Sequence, residues 1–289
     1  MEGFNYSGYK MIVQSRESDL LDYLGRQIPK IYGKENCVIT SQYIFAHGKI
    51  PIVLCSHMDT IFSEATPPKT ILYDQNQELI CSPDGIGGDD RNGIYIILSI
   101  INKFRDNLPC VLFTTQEEKG CIGAKAAAIP LKERAKDLKF AIQIDRHGVD
   151  DAVFYSCANK KFIEYICSFG YKEQYGSCTD ICKICPEWNI AGVNFSCGYV
   201  NEHNKNEVVN VKDMFSTMNM VCKILEDNKN SKKFSYYVKN KTPATKTQYL
   251  MAPETQNKDG LASKEFFNAS DDALLMAIYG KGNYPEPLT

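Results

Sequence analysis

The chain has 289 residues, 44% hydrophobic and 24% charged, and its 33 Lys+Arg against 35 Asp+Glu leave a formal net charge of -2. That is a globular composition, long enough for one large domain or two small ones. With no basic excess to neutralise a phosphate backbone or an anionic membrane surface, neither nucleic acid nor membrane is an expected partner. The first ten residues carry no charged start followed by an apolar core, and no run approaches the roughly 18 apolar residues of a membrane span, so a cytoplasmic location is expected.

In chain order, Leu20, Leu21, Leu24 and Ile28 follow helical spacing after Ser15 and Ser18, which predicts a first amphipathic helix. Residues 37–46 and 51–55 read as strands separated by a turn at His47-Gly48-Lys49, and Ile71 to Cys81 reads as a hairpin. After Gly88 the set Ile94, Ile97, Leu98, Ile101 and Phe104 defines a helix, and Ile96 and Ile100 off that stripe predict cover on more than one side. Further strands are expected at Cys110–Thr114, Phe140–Ile144, Ala152–Tyr155 and Gly192–Ser196, with helices near 159–168 and 211–226. The last of these opens on Asn210 and Asp213 and buries Met214, Met218, Val221, Cys222 and Leu225. Strands alternating with helices predict an α/β protein, a three-layer sandwich with a central mixed, mostly parallel sheet flanked by helices. Residues 1–228 are expected to form the catalytic domain. Residues 229–289 turn polar and read as a linker or arm, with a short helix over Ser270 to Gly280.

The twelve cysteines are about 4% of a chain large enough to build its own core, so they are expected as reduced thiols. Cys182 and Cys185 form a C-x-x-C with Cys178 nearby, but a zinc ribbon needs a second pair, which the sequence lacks.

Five short stretches concentrate His, Asp and Glu: Ser56-His57-Met58-Asp59-Thr60, Gly88-Asp89-Asp90-Arg91, Gln116-Glu117-Glu118-Lys119-Gly120, Ile144-Asp145-Arg146 and Glu202-His203-Asn204. Most follow a predicted strand, and the carboxyl ends of strands in an open α/β sheet form the crevice where ligands bind. A carboxylate after one strand is usually a cap or a solvated turn; five such stretches point to a site. Imidazole with carboxylate and no thiolate suits zinc rather than an iron–sulfur cluster, calcium or magnesium. Two histidines and three carboxylates would supply a histidine and a carboxylate to each of two ions, with one carboxylate bridging. A hydroxide formed there, from water acidified to a pKa of roughly 7, is the expected nucleophile.

His57-x-Asp59, the Gly-Gly-Asp-Asp-Arg-Asn-Gly stretch from Gly87 to Gly93, the Glu117-Glu118 pair, Asp145 and His203 resemble, in order, the signature of the co-catalytic zinc exopeptidases. That superfamily contains aminopeptidases, carboxypeptidases and tripeptidases. Thr115 to Gly120, followed by Gly123-Ala124, is similar to its double-glutamate motif. The resemblance runs from about Ile50 to Glu226. It implies two divalent metal ions, zinc foremost with Co2+ or Mn2+ as alternatives. His57 and Asp145 would bind one and Glu118 and His203 the other, with Asp89 between them. It further implies Asp59 as the partner of His57, Glu117 as the general base and, frequently, a cis Asp89-Asp90 peptide. Thirty-two positions separate His57 from Asp89 and 58 separate Asp145 from His203, too few for the insertions of lid-bearing or shell-forming members. The single-domain aminopeptidase type is therefore expected, with no expectation for the oligomeric state.

The implied substrate is a short peptide or an acylated amino acid. Alternatives on the same fold are an N-acyl amino acid deacylase or other amidohydrolase, and a catalytically silent peptide-binding relative. The complete ligand set and the presence of Glu117 favour catalysis. His147, two residues past Asp145, is expected as a substrate or outer contact rather than a ligand, and Asp180 as a helix cap.

Overall fold

The computed structural model describes residues 3–62 and 67–236. Its elements are α1 (Tyr6–Gln14), α2 (Glu17–Tyr32), β1 (Cys37–Ile39), β2 (Tyr43–Ala46), β3 (Ile50–His57), β4 (Leu72–Asp74), β5 (Leu79–Cys81), α3 (Gly88–Lys103), β6 (Pro109–Thr114), α4 (Ile122–Ala128), β7 (Phe140–Arg146), β8 (Asp151–Val153), α5 (Lys160–Cys167), β9 (Lys172–Gln174), α6 (Ile181–Trp188), β10 (Ala191–Ser196), β11 (Tyr199–Val200), β12 (Val208–Asn210) and α7 (Val211–Glu226). The helix expected over Ser270 to Gly280 lies outside the described residues.

An eight-stranded sheet runs in the order β1-β2-β6-β3-β7-β10-β8-β9. Its centre, β6-β3-β7-β10, is parallel, while β2 joins β6 and β8 joins β10 in antiparallel fashion. The alternation of side chains along a strand builds the layers. Ile52 and Leu54 of β3 face a core shared with α1, α2, α3, α5 and α7, whereas Val53 and Cys55 face α4 and α6 on the other side. The three-layer α/β sandwich expected from the alternation of elements is therefore present. A smaller antiparallel sheet, β11-β12-β5-β4, includes the expected hairpin.

Three local readings change. The segment 37–46 is not one strand but the antiparallel pair β1 and β2, folded at Thr40 to Gln42. Ser18 lies inside α2, whose N-cap is Arg16, and Ser15 instead donates to the Met11 carbonyl at the end of α1. α1 itself lies in a stretch for which no element was expected: the Asn5 side chain accepts from the Gly8 N–H, and Tyr9, Ile12 and Val13 are buried. All twelve cysteines are free thiols. Among the described residues no helix is long and apolar enough to cross a membrane.

Candidate metal centre and active site

The site lies where β3, β6, β7 and β10 end together. His57 closes β3, aligned across the sheet with Thr114 at the end of β6, and is 1% exposed. Its Nδ1 sits 3.2 Å from Asp59 Oδ1, and its Nε2 lies 3.1 Å from Asp89 Oδ1 and 3.5 Å from Asp145 Oδ1. The other Asp89 oxygen lies 3.2 Å from His203 Nε2, which is 3.1 Å from Glu118 Oε1. Asp89 thus stands between the two imidazoles with one oxygen toward each. The five expected ligands converge in the two groups that the family resemblance implied.

Asp89 is held in place by its surroundings. The Glu207 carboxylate accepts from the N–H groups of Gly87, at 2.9 Å, and Asp89, at 3.0 Å. Asp90 is fully buried, accepting from the N–H of His57 and of Gly93. The Asp89-Asp90 peptide is cis. Gly93 permits α3 to lie on β7, because a Cβ there would come within 2.3 Å of the Ile144 carbonyl oxygen.

Asp59 does more than the expected service to His57. Its two oxygens also accept the N–H groups of Glu117, at 2.9 Å, and Glu118, at 3.1 Å, so one carboxylate orients both an imidazole and the turn bearing the glutamates. Buried Glu17 of α2 holds the preceding residue, accepting from Gln116 N–H at 2.8 Å. Asp145 is fixed by Thr179, Tyr199 and Asn194, whose side chains bond its carboxylate or its backbone. Glu17, Thr179, Asn194, Tyr199 and Glu207 all went unread in the sequence. Each acts by a contact with a distant segment, and none carries a local pattern.

The charges are crowded. Burial and the charge of Asp89 push the Glu118 carboxyl up to about 7, and burial pushes Glu207 up to about 8. Burial opposes charge on Asp89 as well, but hydrogen bonds from His203 and His57 prevail and hold it well below the usual carboxylate range. The Asp89 hydrogen bond raises His203 to about 9. Two imidazoles facing three buried or half-buried carboxylates form a donor set suited to divalent cations, which would relieve the same crowding.

Two further residues were weighed in the sequence. Asp180 occupies the N-cap position of α6 but makes no capping bond with its side chain. It is fully buried instead, accepts from the Thr114 hydroxyl, and lies with Cys121 within 4.8 Å of Glu117. The cap expectation is overturned because β6 and the Glu117 turn enclose the carboxyl before it can turn back on the helix. His147 lines the cleft paired with Glu202.

No protein-family model matches the chain, and no curated protein matches its sequence. Solved structures do. The aminopeptidase PepT of Bacillus cereus superposes with a TM-score of 0.56 at 13% identity, covering 78% of this chain and 98% of its own. A tripeptidase of Staphylococcus aureus gives the same values. A TET aminopeptidase from a marine-sediment thaumarchaeote has a TM-score of 0.57 at 12% identity, covering 78% of this chain and 99% of its own. At such identities the likeness establishes a shared fold.

Proposed function

We propose that the chain is a metal-dependent hydrolase that removes a terminal residue from short peptides, acting as an aminopeptidase with two zinc ions. One observation carries this reading: Asp89 directs one oxygen to His57 and the other to His203, and each imidazole has a second carboxylate beside it, Asp145 or Glu118. A structural carboxylate has no need of that double placement. The fold shared with two aminopeptidases and a tripeptidase supports the same reading.

His57 and Asp145 would hold one ion and His203 and Glu118 the other, with Asp89 common to both. Bound there, the ions would acidify a water and polarise the carbonyl of the scissile amide. The remaining work falls to the protein. Asp59 accepts at His57 Nδ1 and so leaves Nε2 free to ligate. Glu117, whose N–H is anchored by the same Asp59, takes the water proton on its carboxylate and returns it to the departing amine.

The test combines metal analysis with a panel of aminoacyl, peptidyl and N-acyl substrates at defined zinc content. Two ions per chain and release of amino-terminal residues are expected; turnover of N-acyl substrates alone would make the protein a deacylase. Glu117→Gln should keep both ions yet lower kcat on the order of 10²- to 10⁴-fold, since the amide keeps the shape and loses the proton acceptor. Loss of metal with this variant, and its retention in Glu118→Gln, would exchange the roles of the pair.

A further inference from the structure

We propose that the Tyr155 hydroxyl donates a hydrogen bond to the carbonyl oxygen of the amide being cleaved, strengthening it as that oxygen gains negative charge in the transition state. The assignment rests on the hydrolase reading above. Tyr155 lines the cleft with Glu117, Asp89 and Asp145. Its oxygen accepts a 3.0 Å hydrogen bond from Asn194 Nδ2. The same asparagine clamps the backbone of Asp145, donating to its carbonyl at 2.7 Å and accepting from its N–H at 2.9 Å. The phenol is thereby set beside the strand end that presents the Asp145 carboxylate.

Two tyrosines line this cleft, and they differ in what their protons do. Tyr199 donates to Asp145 Oδ1 at 3.3 Å, so its proton is engaged. Asn194 uses a lone pair of the Tyr155 oxygen and leaves the proton, which meets no acceptor among the described residues. The cationic groups nearby face carboxylates: His147 Nδ1 meets Glu202, and the Arg146 guanidinium lies 3.7 Å from Asp151, an ion pair in which its buried Nε makes no hydrogen bond. Tyr155 therefore retains a donor for an incoming group.

The backbone gives an independent sign. Tyr155 and Ser156 have φ of +47° and +65°, two successive left-handed residues neither of which is glycine. Such conformations are unfavourable for residues with a Cβ and persist where the surroundings enforce them, often at ligand sites. Here the residue packs against the apolar layer that includes Cys157 and Ile181 and also lines the cleft. Burial, reinforced by the charge of Asp145, pushes the phenol well above its ordinary range, so it keeps its proton at neutral pH. A fixed donor in a partly enclosed site stabilises developing negative charge at no cost in reorganisation.

Tyr155→Phe in the zinc-loaded full-length protein tests this, because it removes the hydroxyl and keeps the ring. The expected result is a kcat lower by roughly 10²-fold, the usual loss on removing one oxyanion donor, with KM nearly unchanged. Affinity for a phosphinic dipeptide analogue, whose tetrahedral anion resembles the transition state, should weaken in parallel with kcat/KM. Affinity for the product amino acid, the melting temperature and the zinc content should not move. A kcat within about threefold of wild type, with phosphinate affinity unchanged, overturns the role of Tyr155 and leaves the hydrolase reading intact. A wild-type protein that hydrolyses no amide in the panel overturns that reading, and this one with it. If the phenylalanine variant is unstable, 3-fluorotyrosine at position 155 supplies a more acidic donor of nearly the same size. It should tighten phosphinate binding, and unaltered binding overturns the proposal.

Discussion

His203 sets the sign of the coupling between cations and protons. In the cation-free cluster its pKa stands at about 9, foremost through the Asp89 hydrogen bond, so at pH 7 it carries a proton where a metal needs a lone pair. Glu118, at about 7 through burial and the charge of Asp89, is partly protonated at the same pH. Metal binding must therefore expel protons, and affinity must fall as pH is lowered through 9, by up to about tenfold per unit for each proton displaced. Calorimetry at pH 7 in two buffers of different ionisation heat counts these protons, and a count of zero would remove His203 from the ligand set. The residues of this cluster were legible in the sequence because their types suit a metal and their order resembles a family signature. Their supports were not. Glu207 looks like any carboxylate ahead of a short strand until its two backbone donors, Gly87 and Asp89, are seen to arrive from 120 and 118 positions earlier in the chain.

Among elements, the parallel strands were legible because each is predominantly apolar over strand length, as β6 shows, with all six of its residues buried. α4 and α6 were not. α4 is built from Ile-Gly-Ala-Lys-Ala-Ala-Ala, whose small residues make no stripe of large side chains. α6 contains Pro186 and is dominated by cysteine and isoleucine, which drew notice as a thiol motif. Both form because the face of the sheet bearing Val53 and Cys55 needs cover, a demand that no local pattern records. The small residues of α4 have a function of position. A Cβ on Gly123 would lie 2.5 Å from the Gln42 carbonyl oxygen and 2.6 Å from Thr115 N, in the backbone leading to Glu117. Gly123→Ala should cost about 1–3 kcal/mol by overpacking, seen as a lower melting temperature. Because the displaced backbone carries the base, kcat at 25 °C should fall while most of the protein is still folded; an unchanged kcat would separate α4 from the site.

At the scale of the molecule, the polar stretch past Asn228 does not leave the domain at once. Phe234 is buried, its ring centroid 5.0 Å from that of Phe162 and 5.4 Å from that of Tyr165, and its backbone bonds Lys139 and Ala191. The composition change near 228 marks a fall in apolar content, which pattern reading takes for a boundary, whereas one well-placed aromatic suffices to anchor a segment. A chain ending after Tyr236 should fold and bind two ions. One ending after Asn228 should lose about 3–5 kcal/mol, the scale of deleting a large buried aromatic, from a total of typically 5–15. Urea denaturation of the two truncated proteins compares them, and equal midpoints would show that Phe234 contributes nothing.

The crowding of Asp89, Asp145 and Glu118 around two imidazoles also bears on how long the protein lasts in a cell. Only the folded chain brings these groups together, so a cation at a hundred times its dissociation constant adds about 2.7 kcal/mol to stability. A chain deprived of metal unfolds more often, and proteases act on the unfolded form, so abundance should follow the metal supply without any change in synthesis. In a pulse-chase experiment a permeant chelator should shorten the half-life of the wild-type protein. It should shorten that of Glu117→Gln equally, because that variant keeps its ions and lacks only turnover; a half-life indifferent to chelation would show that the cluster does not fasten the fold.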